Sequence, residues 1–149
     1  MLVTAACALA IITSGDSTPI GFVGTIGIAI WLFGFVIEVV ADAQKRAFRQ
    51  NPDNRGKFIN TGLWSWSRHP NYFGEITLWF GMAVLAIPVL SGLQWLTLIS
   101  PIFVFLLLTK VSGIPLLAKK SKQRWGDDPD YQAYLKSTSL LVPLPPKSA

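Results

Sequence analysis

The sequence predicts an all-α, polytopic membrane helical bundle with a cytosolic C-terminal helical segment. Three observations predict it. Of 149 residues, 51% are hydrophobic and 14% charged, against roughly a quarter charged in soluble domains. The apolar residues gather into four stretches: Leu2 to Thr13, Pro19 to Val40, Phe73 to Leu90, and Leu93 to Val111. The 13 Lys and Arg residues avoid the connections at 14–18 and 91–92.

Each stretch has its own justification. The first holds 12 residues. It is short for a span, and it lacks the basic start and cleavage site of a signal peptide. The second holds 22 residues, about 33 Å as a helix and enough to cross a bilayer. Its helical character continues to about Gln50, where Asn51-Pro52 breaks it. Pro70 suits a helix's first turn, so the third span begins near Asn71. The fourth span follows a turn marked by Pro88, Ser91 and Gly92. Ser14, Gly15 and Asp16 mark the other hairpin turn. "IPLLAKKSKQRWGDDPDYQAYLKST" reads as a helix, a turn at Gly126 to Pro129, and a second helix. "VPLPPKSA" ends the chain extended. The whole, 1–149, is a single membrane domain.

The charge arrangement sets topology. Lys45, Arg46, Arg49, Arg55, Lys57 and Arg68 lie between the second and third spans, and the other seven run from Lys110 to Lys147. With four crossings both groups fall on one side, which the positive-inside rule makes the cytoplasm. The net charge of +5 therefore reads as topology and lipid contact, not nucleic-acid binding. Trp64, Trp66 and Trp79 suit the interfacial belt. Gly21, Gly24 and Gly27 read as a helix-packing stripe. A lone Cys7 and a lone His69 exclude an internal disulfide and argue against a metal site.

Polar residues at the membrane edge carry the functional signal. Glu38, Asp42, Lys45 and Arg49 share a helix face at spacings of 4, 3 and 4, and Arg46 also reaches Asp42. For Lys45 the ordinary reading is a solvated helix end. Glu38 lies within an apolar span, where an acid requires a polar cavity or partner. Tyr72, Glu75 and Trp79 fall on one face of the third span. Arg68 and His69 precede that helix's start, where an anion is favoured. Tyr131 and Tyr134 share a face and, with Arg124, suit either a planar phosphate-bearing ligand or a membrane-surface segment.

The run "GLWSWSRHPNYFGEITLWFG", with "ADAQKRAFR" before it and "RWGDDPDYQAYLKSTSLLVP" after it, resembles the steroid 5-alpha-reductase-like membrane family, in its bacterial uncharacterised branch. The match covers about Glu38 to Pro143. "RHPNY" is also shared with isoprenylcysteine carboxyl methyltransferases. The resemblance implies a membrane-bound, NAD(P)H-dependent reductase of a polarised carbon–carbon double bond in a lipid or steroid-like substrate. It implies NADPH contacts at Asp42, Arg46, Arg49, Asn71, Glu75, Arg124 and Tyr134. Joined with the membrane-edge residues read above, the candidate cofactor set is Glu38, Asp42, Arg46, Arg49, Arg68, His69, Asn71, Glu75, Arg124, Tyr131 and Tyr134, with Tyr72 and Glu75 as candidate catalytic residues. Two alternatives stand beside it: an S-adenosylmethionine-dependent membrane methyltransferase, and a truncated, non-catalytic membrane module. Further N-terminal helices usual in the family have only a 12-residue counterpart. The expectation is a C-terminal, cofactor-binding part whose pocket a partner chain or second copy completes.

Overall fold

The computed structural model describes residues 6–13 and 21–147. The expected turn at Ser14 to Asp16 and the outer ends of the first two apolar stretches lie outside them. Among the described residues six α-helices follow one another: α1 (Ala6–Thr13), α2 (Phe22–Gln50), α3 (Pro70–Ala86), α4 (Ile99–Leu106), α5 (Ile114–Trp125) and α6 (Pro129–Ser137). Among the described residues three helical runs are long and apolar enough to cross a membrane: Phe22–Gln50, Pro70–Val89 and Gly92–Trp125. The all-α membrane class is as the sequence predicts, and the protein is an integral membrane protein.

The central feature is the antiparallel pairing of α2 and α3, the most extensive helix contact in the fold. Glycines make it. A Cβ on Gly27 would stand 2.5 Å from the Leu85 backbone, one on Gly34 2.4 Å from Leu78 N, one on Gly74 2.6 Å from Glu38 N, and one on Gly81 2.4 Å from Trp31 N. No side chain fits such gaps. The spacing is seven residues on each helix, so one seam runs along both. The predicted stripe of Gly21, Gly24 and Gly27 is corrected accordingly. Gly24 and Gly27 are buried, but Gly21 precedes the helix and packs against nothing.

The helix ends follow local chemistry. α2 runs to Gln50. Asn51 is extended, and its Oδ1 accepts from Asp53 N–H at 3.0 Å. α3 opens with Pro70 at its first position, as expected.

The last span differs from the uniform helix expected over Leu93–Val111. It passes from 3₁₀ (Gly92–Leu98) through α4 to a π-turn (Leu107–Val111). Pro101 lacks the N–H that an α-helix would direct at Thr97 O. That carbonyl instead accepts from Cys7 Sγ at 3.2 Å, which docks α1. Cys7, Ala83, Ala86 and Leu90 form the buried cluster at this end. At the other end, the tail returns to the start of α3. Ser67 and Ser139 form a parallel bridge, and Leu144 N donates to Trp66 O at 3.1 Å.

Candidate functional site

The end of α2, the connection 51–69, α5 and α6 enclose a hollow of about 600 Å³. Its construction begins with Trp64. The sequence reading placed this residue in the interfacial belt, but it is 4% exposed. Its indole Nε1 donates to Ala41 O at 3.0 Å, and its own carbonyl accepts from Tyr134 Oη at 2.7 Å. A polar N–H on a large ring is best placed where a carbonyl can receive it, and here the α2 backbone supplies one. Gln44 supports the same turn. Its Oε1 accepts from Leu63 N–H at 2.9 Å, over Gly62, whose φ of +60° suits glycine.

Phe58 is the second anchor. Its ring lies 6.0 Å from Trp125, 5.1 Å from Tyr131 and 5.4 Å from Tyr134. Trp125 Nε1 donates to Gly56 O. These contacts tie the 51–69 connection to α5 and α6. They also make the aromatic wall of the hollow.

The remaining lining is cationic. Lys45, Arg49, Arg55, Lys57, Arg68, Lys122 and Arg124 face the hollow, and among the described residues no carboxylate does. Both basic regions of the sequence therefore meet at one end of the bundle. Lys45 is not the solvated helix-end residue expected from its spacing. It is half-buried, with Nζ 4.7 Å from the centre of the Trp64 ring, a cation–π placement. Arg68 donates its backbone N–H to Ser139 O at 2.8 Å, but its buried side-chain Nε has no partner. Buried donors are normally satisfied, so this one is suited to an acceptor that enters the hollow.

His69 marks the border. It lines the hollow, and its ring stacks on Tyr72 at 5.5 Å and 10°. It stands at the N-cap of α3 without a side-chain capping bond. Burial, helped by the charges of Arg68 and Lys45, holds its pKa down at about 4, so the ring is neutral at neutral pH. Burial pushes the Tyr134 hydroxyl upward, with Arg68 opposing. That hydroxyl stays a donor.

Beyond His69 lies an acidic group. Gly74 sets α3 against the Glu38 backbone, which brings Glu38 and Glu75 to the same level of the seam. Asp42 follows Glu38 by one turn on α2, and Tyr72 precedes Glu75 by one turn on α3, so all four stand at this end of the paired helices.

The sequence-derived candidates therefore fall into two neighbouring sets. Arg49, Arg68, His69, Arg124, Tyr131 and Tyr134 line the hollow. Glu38, Asp42, Tyr72 and Glu75 form the acidic group beside it. Half-buried Asn71 joins them in the first turn of α3, and Arg46 is exposed outside the lining. Sequence reasoning missed Phe58, Lys57 and Arg55, which sit in an irregular connection with no periodicity. It also misjudged Lys45, whose spacing of four from Arg49 was a usable signal.

This arrangement defines a class: a helical membrane protein with a basic, aromatic hollow at one end of its spans and carboxylates at the hollow's edge. A family model described as "Protein of unknown function (DUF1295)" matches residues 1–138. The 3-oxo-5-alpha-steroid 4-dehydrogenase 1 of Rattus norvegicus is 32% identical over 117 residues, 78% of this chain and 40% of that protein. Its counterpart in Macaca fascicularis is 29% identical over 118 residues, 79% of this chain and 40% of that protein. The Probable O-methyltransferase ustE of Ustilaginoidea virens is 40% identical over 60 residues, 40% of this chain and 21% of that protein. The chain thus spans at most about two fifths of the length of these relatives. No solved structure matches it. The chain belongs to the DUF1295 family and, with it, to the steroid 5-alpha-reductase-like membrane proteins.

Proposed function

We propose that the chain is the cofactor-binding part of a membrane-bound NAD(P)H-dependent reductase acting on a polarised carbon–carbon double bond in a lipid or steroid-like substrate. One observation carries this reading: among the described residues seven Lys and Arg, and no carboxylate, face a hollow walled by aromatic rings. That chemistry suits a ligand with flat rings and several phosphate charges.

In this reading Arg49, Arg68 and Arg124, with Lys45, hold the phosphates, and the free Arg68 Nε takes a phosphate oxygen. Arg46 approaches from the exposed rim. Tyr131, Tyr134 and Phe58 provide the wall for a flat ring. The carboxylates of Glu38, Asp42 and Glu75 repel one another unless hydrogen-bond donors reach them. Ribose hydroxyls and a carboxamide are such donors, and Asn71 offers both a donor and an acceptor to the same groups. His69 separates the phosphates from this acidic corner. The cofactor, when bound, supplies hydride. Tyr72 holds a proton at Oη beside Glu75, stacked against neutral His69, and releases it to the substrate carbon. The hollow opens on the cytoplasmic side, where the basic segments belong. The hydrophobic substrate arrives from the bilayer, and a partner chain or second copy completes its pocket.

A methyltransferase using S-adenosylmethionine is the second reading, favoured by the 60-residue match to the Ustilaginoidea virens relative. That cofactor carries no phosphate and would leave the cations unmatched. The test is thermal unfolding of the detergent-purified protein with NADPH, NADH or S-adenosylmethionine. A ligand selective for the folded state adds about 2.7 kcal/mol at a hundred times its Kd. A raised midpoint with a nicotinamide cofactor is expected. A response to S-adenosylmethionine alone overturns the reductase, and no response to any of the three favours a non-catalytic module.

A further inference from the structure

We propose that the outward face of α5 is a docking surface for the bilayer, binding the headgroups of anionic phospholipids. The helix has two faces with different work. Ile114, Leu117, Ala118, Ser121, Lys122 and Trp125 turn toward the hollow. Their spacing leaves Leu116, Lys119, Lys120 and Gln123 on the other side, exposed and outside the hollow's lining.

The order of residues along this face matches depth. Val111 and Leu116 are 65% and 53% exposed, on either side of the bend at Ser112 and Gly113 within the last membrane run Gly92–Trp125. Lys119 and Lys120 follow one turn later. A helix leaving a bilayer along its surface rests apolar side chains in the acyl boundary and lays lysine stems over it, with the ammonium groups among headgroups.

Charge names the occupant. Lys110, Lys119 and Lys120 are exposed, and no Asp or Glu occurs from Ile76 to Gly126. The first carboxylates after them, Asp127 and Asp128, lie beyond the end of α5. Anionic headgroups at the membrane surface neutralise these cations. This surface lies outside the hollow and does not depend on what the hollow binds.

The test uses the full chain in nanodiscs of phosphatidylcholine, alone or with one part in three of phosphatidylglycerol, without cofactor. The expected result is a higher unfolding midpoint in the anionic discs that shrinks at high salt. K119Q/K120Q abolishes the difference, and the charge-preserving K119R/K120R keeps it. K136Q, which removes an exposed lysine from α6, also keeps it. In mixed micelles, loss of both lysines weakens phosphatidylglycerol association roughly 30-fold. Equal midpoints of the wild type in the two disc types overturn the proposal. So does equal loss in K136Q, which makes the effect one of net charge. A stabilisation by inorganic phosphate in phosphatidylcholine discs that equals the lipid effect and is lost in K119Q/K120Q likewise overturns it, since free anions then suffice at this face.

Discussion

The α2–α3 seam and the hollow beside it are built on opposite principles. The seam is backbone against backbone, with glycines at Gly27, Gly34, Gly74 and Gly81 leaving no room for a side chain. The hollow is built by side chains: the Phe58 ring contacts Trp125 and Tyr134, and Trp64 and Tyr134 each donate one hydrogen bond to a backbone carbonyl. The seam sets the Glu38 backbone against Gly74, next to Glu75. The hollow can lose one contact and persist. The difference teaches where this fold tolerates change: almost nowhere along the seam, and widely around the hollow.

The largest expected effect therefore comes from the seam. In Gly34→Leu the new Cβ meets Leu78 N at 2.4 Å and Gly74 O at 2.7 Å, both backbone atoms. The helices must separate, at a cost of more than about 3 kcal/mol. The measurement is recovery of monodisperse protein in detergent, and a near-complete loss is expected. Normal recovery and melting would mean that the two helices are not in contact there.

Next comes pH, which probes the border between the two regions. The His69 pKa is about 4 in the folded protein, against roughly 6.5 in an unfolded chain. Between those values the unfolded chain takes up a proton that the folded state refuses. Stability is therefore full above about pH 6.5 and falls as the pH is lowered toward 4. At about 1.4 kcal/mol per pKa unit the loss approaches 3 kcal/mol. Urea unfolding at a series of pH values measures it, and His69→Gln should flatten that part of the profile.

The smallest effect is expected in the hollow's wall. Tyr134→Phe removes the 2.7 Å bond to Trp64 O and keeps the ring contacts. A loss of about 1 kcal/mol is expected, with cofactor affinity nearly unchanged. A large fall in affinity would instead give that hydroxyl a role in binding.

The sequence revealed these two regions unequally. Helix ends were legible because they are local chemistry: Asn51-Pro52 stops α2, Pro70 starts α3, and the Gly126 to Pro129 turn divides α5 from α6. The candidate acids were legible because an acid within an apolar run is conspicuous. The seam was read only in part: Gly27 belongs to it and Gly21 does not, because the seven-residue partnership of Gly27 and Gly34 with Gly81 and Gly74 exists only between two helices. Trp64 misled for a related reason. A tryptophan beside a span ordinarily sits at the interface, and only the fold brings the Ala41 carbonyl to its N–H. Phe58 gave no signal, because its three ring partners lie on helices far along the chain.

The central claim is that the basic hollow and the acidic corner are one site, divided only by the His69–Tyr72 stack. Equilibrium titration of NADPH into the wild type, Arg68→Gln and Glu75→Gln tests it most directly. The account predicts that each substitution, one on either side of the stack, weakens binding by at least about tenfold, since hydrogen bonds to charged groups are worth about 1.5–3 kcal/mol. Wild-type affinity in Glu75→Gln, alongside a loss in Arg68→Gln, would contradict it.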